Sequence, residues 1–286
     1  MSVRGPGQWV RMYHVDAFTR EPFRGNPAAV CLMEGVQEDG VLQAIAAENN
    51  LSETAFLSTT DALPFAEARG FRLRWFTPKV EVPLCGHATL ATSAVLFNAL
   101  GYPRDEVRFD SLSGPLVAKR QGDGILLDFP TDQPAPFEPP AGLLDAMGLD
   151  RVIDARFARR GRDVLLRVAD EDAVKAVEPD FRAMVVATSG LAVNGAIVTA
   201  EGGAGYDFVS RFFAPWLGVD EDPVTGSAHT VLAPYWAGIL GKDEMRAFQA
   251  SRRGGEMLVR NAGGGRVHLV GQAVIVMEGR LFLGRA

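Results

Sequence analysis

Hydrophobic and polar positions along this chain mostly alternate, and helical periods interrupt the alternation at a few places. Residues 10–18 read as a strand, 19–27 as a loop because of Pro22, Gly25 and Pro27, and 28–32 as a short apolar strand. Residues 41–48 follow a helical period, which the pair Asn49-Asn50 ends because asparagine tolerates the left-handed conformation. A strand over 51–57 then places Leu51, Glu53, Ala55 and Leu57 on one face, so a single carboxylate interrupts an otherwise apolar side. Another strand covers 71–76. Beyond it a helix starts near Gly86 and runs to about Leu100, where Gly101 and Pro103 stop it. Nothing from Ala88 through Tyr102 is charged, and a helix that is apolar or small on every side is enclosed rather than laid on a surface. Short alternating strands at 107–109, 116–119 and 125–129 complete a curved sheet around that helix.

Five prolines fall between Pro130 and Pro140, which marks 130–141 as a linker between a domain over 1–129 and one over 142–286. The final strand of the second domain is free to return to the first. The second half has a short helix at 142–147, strands at 164–168, 184–186 and 196–200, a strand from Phe208, and a second uncharged helix behind Gly226. Pro234 inside that helix is expected to kink or break it, since proline has no N–H for the carbonyl of Thr230. Strands at 257–260, 267–269, 273–277 and 281–283 close the chain, the first two joined by a glycine-rich turn at 261–265.

These two halves are copies. Glu81-Val82-Pro83-Leu84-Cys85-Gly86-His87-Ala88 returns as Glu221-Asp222-Pro223-Val224-Thr225-Gly226-Ser227-Ala228, with Glu, Pro, Gly and Ala in register and an uncharged run after each. The strand opening at Phe71 returns at Phe208 with a slightly shorter offset, so a three-residue insertion separates the two blocks in the second copy. A period of half the chain means two copies of one domain, not a solenoid. The expected fold class is therefore α+β: two pseudo-symmetric domains, each a barrel-like, mostly antiparallel sheet wrapped around a central helix.

Composition narrows the function. A net charge of −6 argues against nucleic acid as a partner, because phosphate contacts need a basic face. The arginine cluster at 156–162 reads as solvated surface. The first fifteen residues carry Arg4 and Arg11 with no apolar stretch of signal-peptide length, and the uncharged runs are too short to span a bilayer, so neither export nor a membrane role is expected. Two cysteines make no disulfide framework, which fits a cytoplasmic protein.

The candidate chemistry gathers at the two helix starts. A helix opened by Gly and small residues leaves backbone N–H groups bare at its positive end, a ready anion site. Two such ends could close on one small ligand. Cys85, Gly86 and His87 stand at the first, and Asp222, Thr225, Gly226, Ser227 and His229 at the second. Glu53, flanked by Leu51 and Ala55, is the acid–base candidate if its face is buried, and a plain edge charge if it is not. A helix start would activate the Cys85 thiol, although single cysteines also serve as small core residues. Asp222 could equally cap the second helix. No dinucleotide fingerprint, phosphate-binding loop, zincin or nucleophile-elbow motif occurs, and Cys85 and His87 have no second pair at zinc spacing, so no nucleotide cofactor and no metal are expected.

Five blocks together resemble the signature of the phenazine-biosynthesis PhzF-like isomerase family. They are Val15-Asp16-Ala17-Phe18, Gly25-Asn26-Pro27-Ala28-Ala29-Val30, Asn50-Leu51-Ser52-Glu53-Thr54-Ala55-Phe56, Cys85-Gly86-His87-Ala88-Thr89-Leu90, and Asp222-Pro223-Val224-Thr225-Gly226-Ser227-Ala228-His229. The blocks keep the family's order and span nearly the whole chain. The resemblance implies a diaminopimelate-epimerase-like fold with its site between the domains, Glu53 as general acid/base, His87, Asp222 and Ser227 as further active-site residues, no cofactor, and a homodimer acting on a small carboxylate-bearing molecule. It does not carry the substrate. Related epimerases use a cysteine at both helix starts, whereas Thr225 stands at the second here, which disfavours a two-thiol racemase. The alternatives are an epimerase using Cys85 with Glu53, and a binding protein that keeps the fold without turnover.

Overall fold

The computed structural model describes residues 8–35, 37–203 and 205–284; Arg4 lies outside them. The chain divides into two compact units, Met1–Leu127 with Gly271–Ala286, and Asp128–Val270. Residues 130–141, read above as a linker, fall within the second unit, where Ala135–Pro136 pairs with a neighbouring strand.

The first unit contains β1 (Trp9–Ala17), β2 (Asn26–Leu32), β3 (Glu53–Thr59), β4 (Phe71–Phe76), β5 (Glu81–Val82), β6 (Glu106–Ser111), β7 (Gly114–Gln121) and β8 (Gly124–Pro130). The C-terminal strand, Ala273–Phe282, pairs with β1, and the order continues β2, β3, β4, β6, β7, β8. Every step is antiparallel except β2 to β3 and β4 to β6. Parallel neighbours need a crossover, and the two crossovers carry α1 (Asp39–Asn49) and α2 (Gly86–Ala94). As expected, α1 ends on Asn50 in the left-handed conformation, at φ 48°.

Helix α2 runs on through a π turn at Val95–Ala99. It touches β1, β2, β3, β7 and the C-terminal strand, which lie toward both ends of the strand order, so the sheet curls around it. Every residue from His87 through Phe97 is buried. Its hydroxyls are accommodated because each donates one turn back: Thr89 Oγ1 to Cys85 O at 2.6 Å, Thr92 Oγ1 to Ala88 O at 2.7 Å and Ser93 Oγ to Thr89 O at 2.8 Å.

The second unit repeats this plan with β9 (Ala135–Pro136), β10 (Asp154–Ala158), β11 (Asp163–Arg167), β12 (Gly195–Glu201), β13 (Phe208–Ala214), β14 (Val219–Asp222), β15 (Glu244–Gln249), β16 (Gly255–Gly263) and β17 (Arg266–Gly271). The order is β9, β10, β11, β12, β13, β15, β16, β17, again parallel at only two steps, β11 to β12 and β13 to β15. Three short helices, α3 (Leu143–Ala146), α4 (Glu171–Lys175) and α5 (Phe181–Ala187), precede the long α6 (Gly226–Leu240). Trp236 of α6 is fully buried, stacks on Phe208 and donates to Thr199 of β12. The copies match in side chains too. Arg74 grips Glu81 through Nε and Nη2, both at 2.7 Å, and Arg211 grips Glu221 at 2.7 and 3.1 Å. Such a bidentate fork fixes both partners, here the strand that precedes each enclosed helix and the short strand that leads into it.

Two expectations fail, one for a local reason and one for a long-range reason. Residues 184–186 are helical, part of α5, because Asp180 accepts from Ala183 N and caps a turn that the short apolar run could not reveal. Helix α6 runs unbroken past Pro234, because the carbonyl of Thr230 that proline cannot serve accepts from Asp132 N at 3.2 Å instead. Cys31 and Cys85 are both buried and are not joined in a disulfide. No helix among the described residues is long and apolar enough to cross a membrane.

Asp163, the first residue of β11, is 3% exposed, and its carboxyl lies against Gly195, where a Cβ would come within 2.7 Å of Oδ1. Burial, and secondly the charge of Asp132, push it up from 3.8 to about 7. The folded protein thus keeps a proton that the unfolded chain releases. The stability it contributes is present at pH values below 3.8 and is lost as the pH rises to about 7. Asp163→Asn preserves the shape without the charge, so urea midpoints should show it more stable than the native protein at pH 8 and no more stable below pH 4.

Candidate active site

The first-unit cluster is built from three chain entries. Gly25 turns the loop into β2 at φ +64°, and a Cβ there would stand 2.1 Å from Ala17 O, so only glycine fits. That turn delivers Asn26, fully buried, as the first residue of β2. The parallel register pairs Ala28 with Glu53, which brings the opening of β3 beside it. Cys85 caps α2 with extended backbone, and His87 follows in the first turn.

His87 joins the three. Its Nε2 lies 3.2 Å from Glu53 Oε2, while Nδ1 lies 3.2 Å from Asn26 Nδ2 and 3.5 Å from Cys85 Sγ. The Nε2 approach has ion-pair distance but lacks hydrogen-bond alignment: among the described residues Nε2 has no hydrogen-bond partner. Burial lowers the imidazole to about 3, so it is neutral at any ordinary pH. Glu53 keeps 19% of its side chain exposed, which leaves its carboxylate reachable. A carboxylate beside a neutral imidazole can exchange a proton and donate to a developing oxyanion.

Neither Cys85 nor Thr225 makes a side-chain cap bond, and neither α2 nor α6 carries an acid in its first turn. Both helix starts therefore present first-turn amides with no acidic side chain from the turn itself. In each copy the residue four positions on braces the capping carbonyl: Thr89 Oγ1 bonds Cys85 O, and His229 Nδ1 bonds Thr225 O at 2.8 Å. His229 is fully buried and lowered to about 4 by burial, against a smaller upward effect of that carbonyl, so its proton sits on Nδ1. Thr225 does not cap because its hydroxyl donates to Asp222 Oδ2. Asp222, considered above as a cap, is therefore that hydroxyl's acceptor. Gln249 Oε1 accepts from Thr225 N at 2.8 Å, and its Nε2 donates to Asp222 O at 2.7 Å. Ser227 is exposed in the first turn and Gly226 is buried.

Glu53, Cys85, Gly86 and His87 thus share one cluster in the first unit, and Asp222, Thr225, Gly226 and Ser227 share another in the second. Residue-level reading gave no role to Asn26 or Gln249. Asn26 had a signal in the Gly25-Asn26 pair, a forced turn followed by an amide. Gln249 had none, since its place follows from the pairing of β15 with β13. One ligand atom from each of Glu53, Cys85 and His87 falls within 4.8 Å of the others, with Glu53 and Cys85 approaching opposite ring nitrogens. Replacing Gly25 with Ala should lower the urea midpoint, at a cost above about 1 kcal/mol, because the native φ is strained for any L side chain and a backbone oxygen blocks the Cβ.

Each unit encloses an uncharged helix in a curled sheet and places polar chemistry at the helix start, and this defines an epimerase-like fold. A hydroxyproline epimerase from Agrobacterium vitis has this fold at 12% identity, with a TM-score of 0.56 over 98% of this chain and 94% of that one. A sequence model of the family described as "Phenazine biosynthesis-like protein" matches residues 15–279. The crystal structure of a PhzF family protein from Enterococcus faecalis is 40% identical, with a TM-score of 0.87 over 96% of this chain and all of that one. The "Uncharacterized isomerase PA2770" of Pseudomonas aeruginosa is 47% identical over 272 residues, 95% of this chain and 98% of that protein. The chain belongs to the phenazine biosynthesis-like (PhzF) family.

Proposed function

We propose that the protein is a cofactor-independent isomerase that moves a proton within a small carboxylate-bearing metabolite. The observation that carries this reading is the cluster of Glu53, His87 and Asn26 at the uncapped start of α2. The first-turn amides at Gly86 and His87 hold the carboxylate. The Glu53 carboxylate takes a proton from a carbon next to the conjugated system, and the electron pair left behind delocalises onto the substrate's oxygen. His87 Nε2–H donates to that oxygen, and the Glu53 acid returns the proton to a different carbon, so the double bond shifts with no net gain or loss. The reading gives Asp222, Thr225, Gly226 and Ser227 a substrate-binding role, with Ser227 as the exposed hydroxyl donor. The name of the Pseudomonas relative supports the reaction class, and the reading extends to a cytoplasmic homodimer.

A second reading has one specific observation behind it: Cys85 Sγ lies 3.5 Å from His87 Nδ1, so an epimerase using Cys85 with Glu53 is the rival. It lacks a partner thiol, because Thr225 stands at the matching position with its hydroxyl committed to Asp222. Solvent deuterium entry into a panel of small unsaturated carboxylic acids separates these readings. Native protein and Cys85→Ser should both incorporate deuterium at a carbon, while Glu53→Gln still binds and loses roughly 100-fold or more in exchange. Loss in Cys85→Ser would favour the epimerase. Full exchange in Glu53→Gln would remove the proposed base, and binding with no exchange in the native protein would make it a binding module.

A further inference from the structure

The Asn26 amide is buried in the first-unit cluster with its nitrogen on His87 Nδ1, and the catalytic reading above leaves it unused. We infer that Asn26 is a positioning residue that fixes the tautomer of His87: by donating to Nδ1 it keeps the ring's single proton on Nε2, so His87 meets a ligand only as a donor.

The two ends of the ring lead to this independently. A neutral imidazole has one N–H and one lone pair. With the proton on Nδ1, that N–H would point at an amide N–H of Asn26, and the bare, electron-rich Nε2 would lie 3.2 Å from the Glu53 carboxylate. With the proton on Nε2 the Asn26 contact becomes a hydrogen bond, and the Glu53 carboxylate, at ion-pair distance though out of hydrogen-bond alignment, lies near the positive edge of the ring. Cys85 Sγ, at 3.5 Å from the same Nδ1, is the competing donor, and an amide N–H is the stronger of the two. Asn26 is held in place by its own backbone: it is fully buried, it opens β2, and Gly25 before it occupies a turn that no other residue fits.

The consequence rests on the isomerase reading. A ring locked as the Nε2–H form cannot accept a proton from substrate at Nε2, so base and acid duties stay with Glu53. Asn26 thus divides the labour between two groups 3.2 Å apart. The tautomer itself rests only on the cluster's geometry, so it can be tested without a substrate.

The experiment is long-range proton–nitrogen NMR on full-length protein with 15N-labelled histidine, the four ring systems being sorted by comparison with His87→Gln. In the native protein His87 should show a protonated Nε2 and a bare Nδ1, unchanged from pH 8 down to pH 5. Asn26→Asp replaces the donor by an acceptor, so the His87 proton should move to Nδ1, or both nitrogens should be protonated at pH 6. Asn26→Ser, smaller and able to donate or accept, should give a mixture. A native His87 protonated on Nδ1 overturns the inference, as does a pattern that stays the same in a folded Asn26→Asp. Should that variant fail to fold, the native spectrum alone decides the tautomer. Failure here would remove the donor role given to His87 Nε2–H and leave Glu53 as the base, which is tested separately by deuterium exchange in Glu53→Gln.

Discussion

A helix wrapped on all sides by a sheet can carry no unpaired charge along its length, and the rest of each unit follows from that constraint. In α2 the only polar side chains in the enclosed stretch are small hydroxyls that bond one turn back, and the first-turn imidazole is neutral. The polarity of the peptide groups then has an outlet only at the helix ends. At the start of α2 no side chain caps the amides and no acid stands in the first turn, and the groups that face the first-turn His87 come from the neighbouring strand ends. Those ends supply Asn26 and Glu53. The site is therefore a by-product of how the helix is buried, sharpened by a forced glycine turn and a parallel strand pair.

Doubling preserved the framework and let the chemistry diverge. The Arg–Glu forks survive in both copies, as does the bond from the fourth residue onward to the capping carbonyl, made by Thr89 in one and His229 in the other. The pairing also shows what stands where Glu53 does. Glu53 and Gly195 each open the strand that runs parallel to its predecessor, and the next residues, Thr54 and Ala196, pair with Phe76 and Phe213. Copy one has a carboxylate at that register position and copy two has glycine. With Thr225 in place of Cys85 and Ser227 in place of His87, the second copy has hydroxyls where the first has a thiol and an imidazole, and Asp222 and His229 where the first has Val82 and Thr89.

How much of this could be read beforehand depended on range. The two enclosed helices, the strands before them and the repeat were visible because they rest on local pattern and on a comparison of the chain with itself. Glu53 was visible for a related reason: it is a lone carboxylate in an apolar period of two. Residues 184–186 were misread because three apolar residues fit either period, and the deciding feature was Asp180 acting as a cap. The expected break at Pro234 was wrong for a longer-range reason, a donor from Asp132 a hundred positions away. Gln249 and the Asn26–His87 contact belong to the same class. They exist only once distant strands pair, and no local period encodes them.

The measurement that bears most directly on the central claim is the backbone amide spectrum of the labelled protein during titration with a small carboxylate such as benzoate. The account predicts that the amides of Gly86, His87 and Ala88 shift saturably, with those of Gly226, Ser227 and Ala228 following, while the far turns of both helices stay still. Carboxylate binding that moves amides elsewhere and leaves both helix starts unchanged would contradict it.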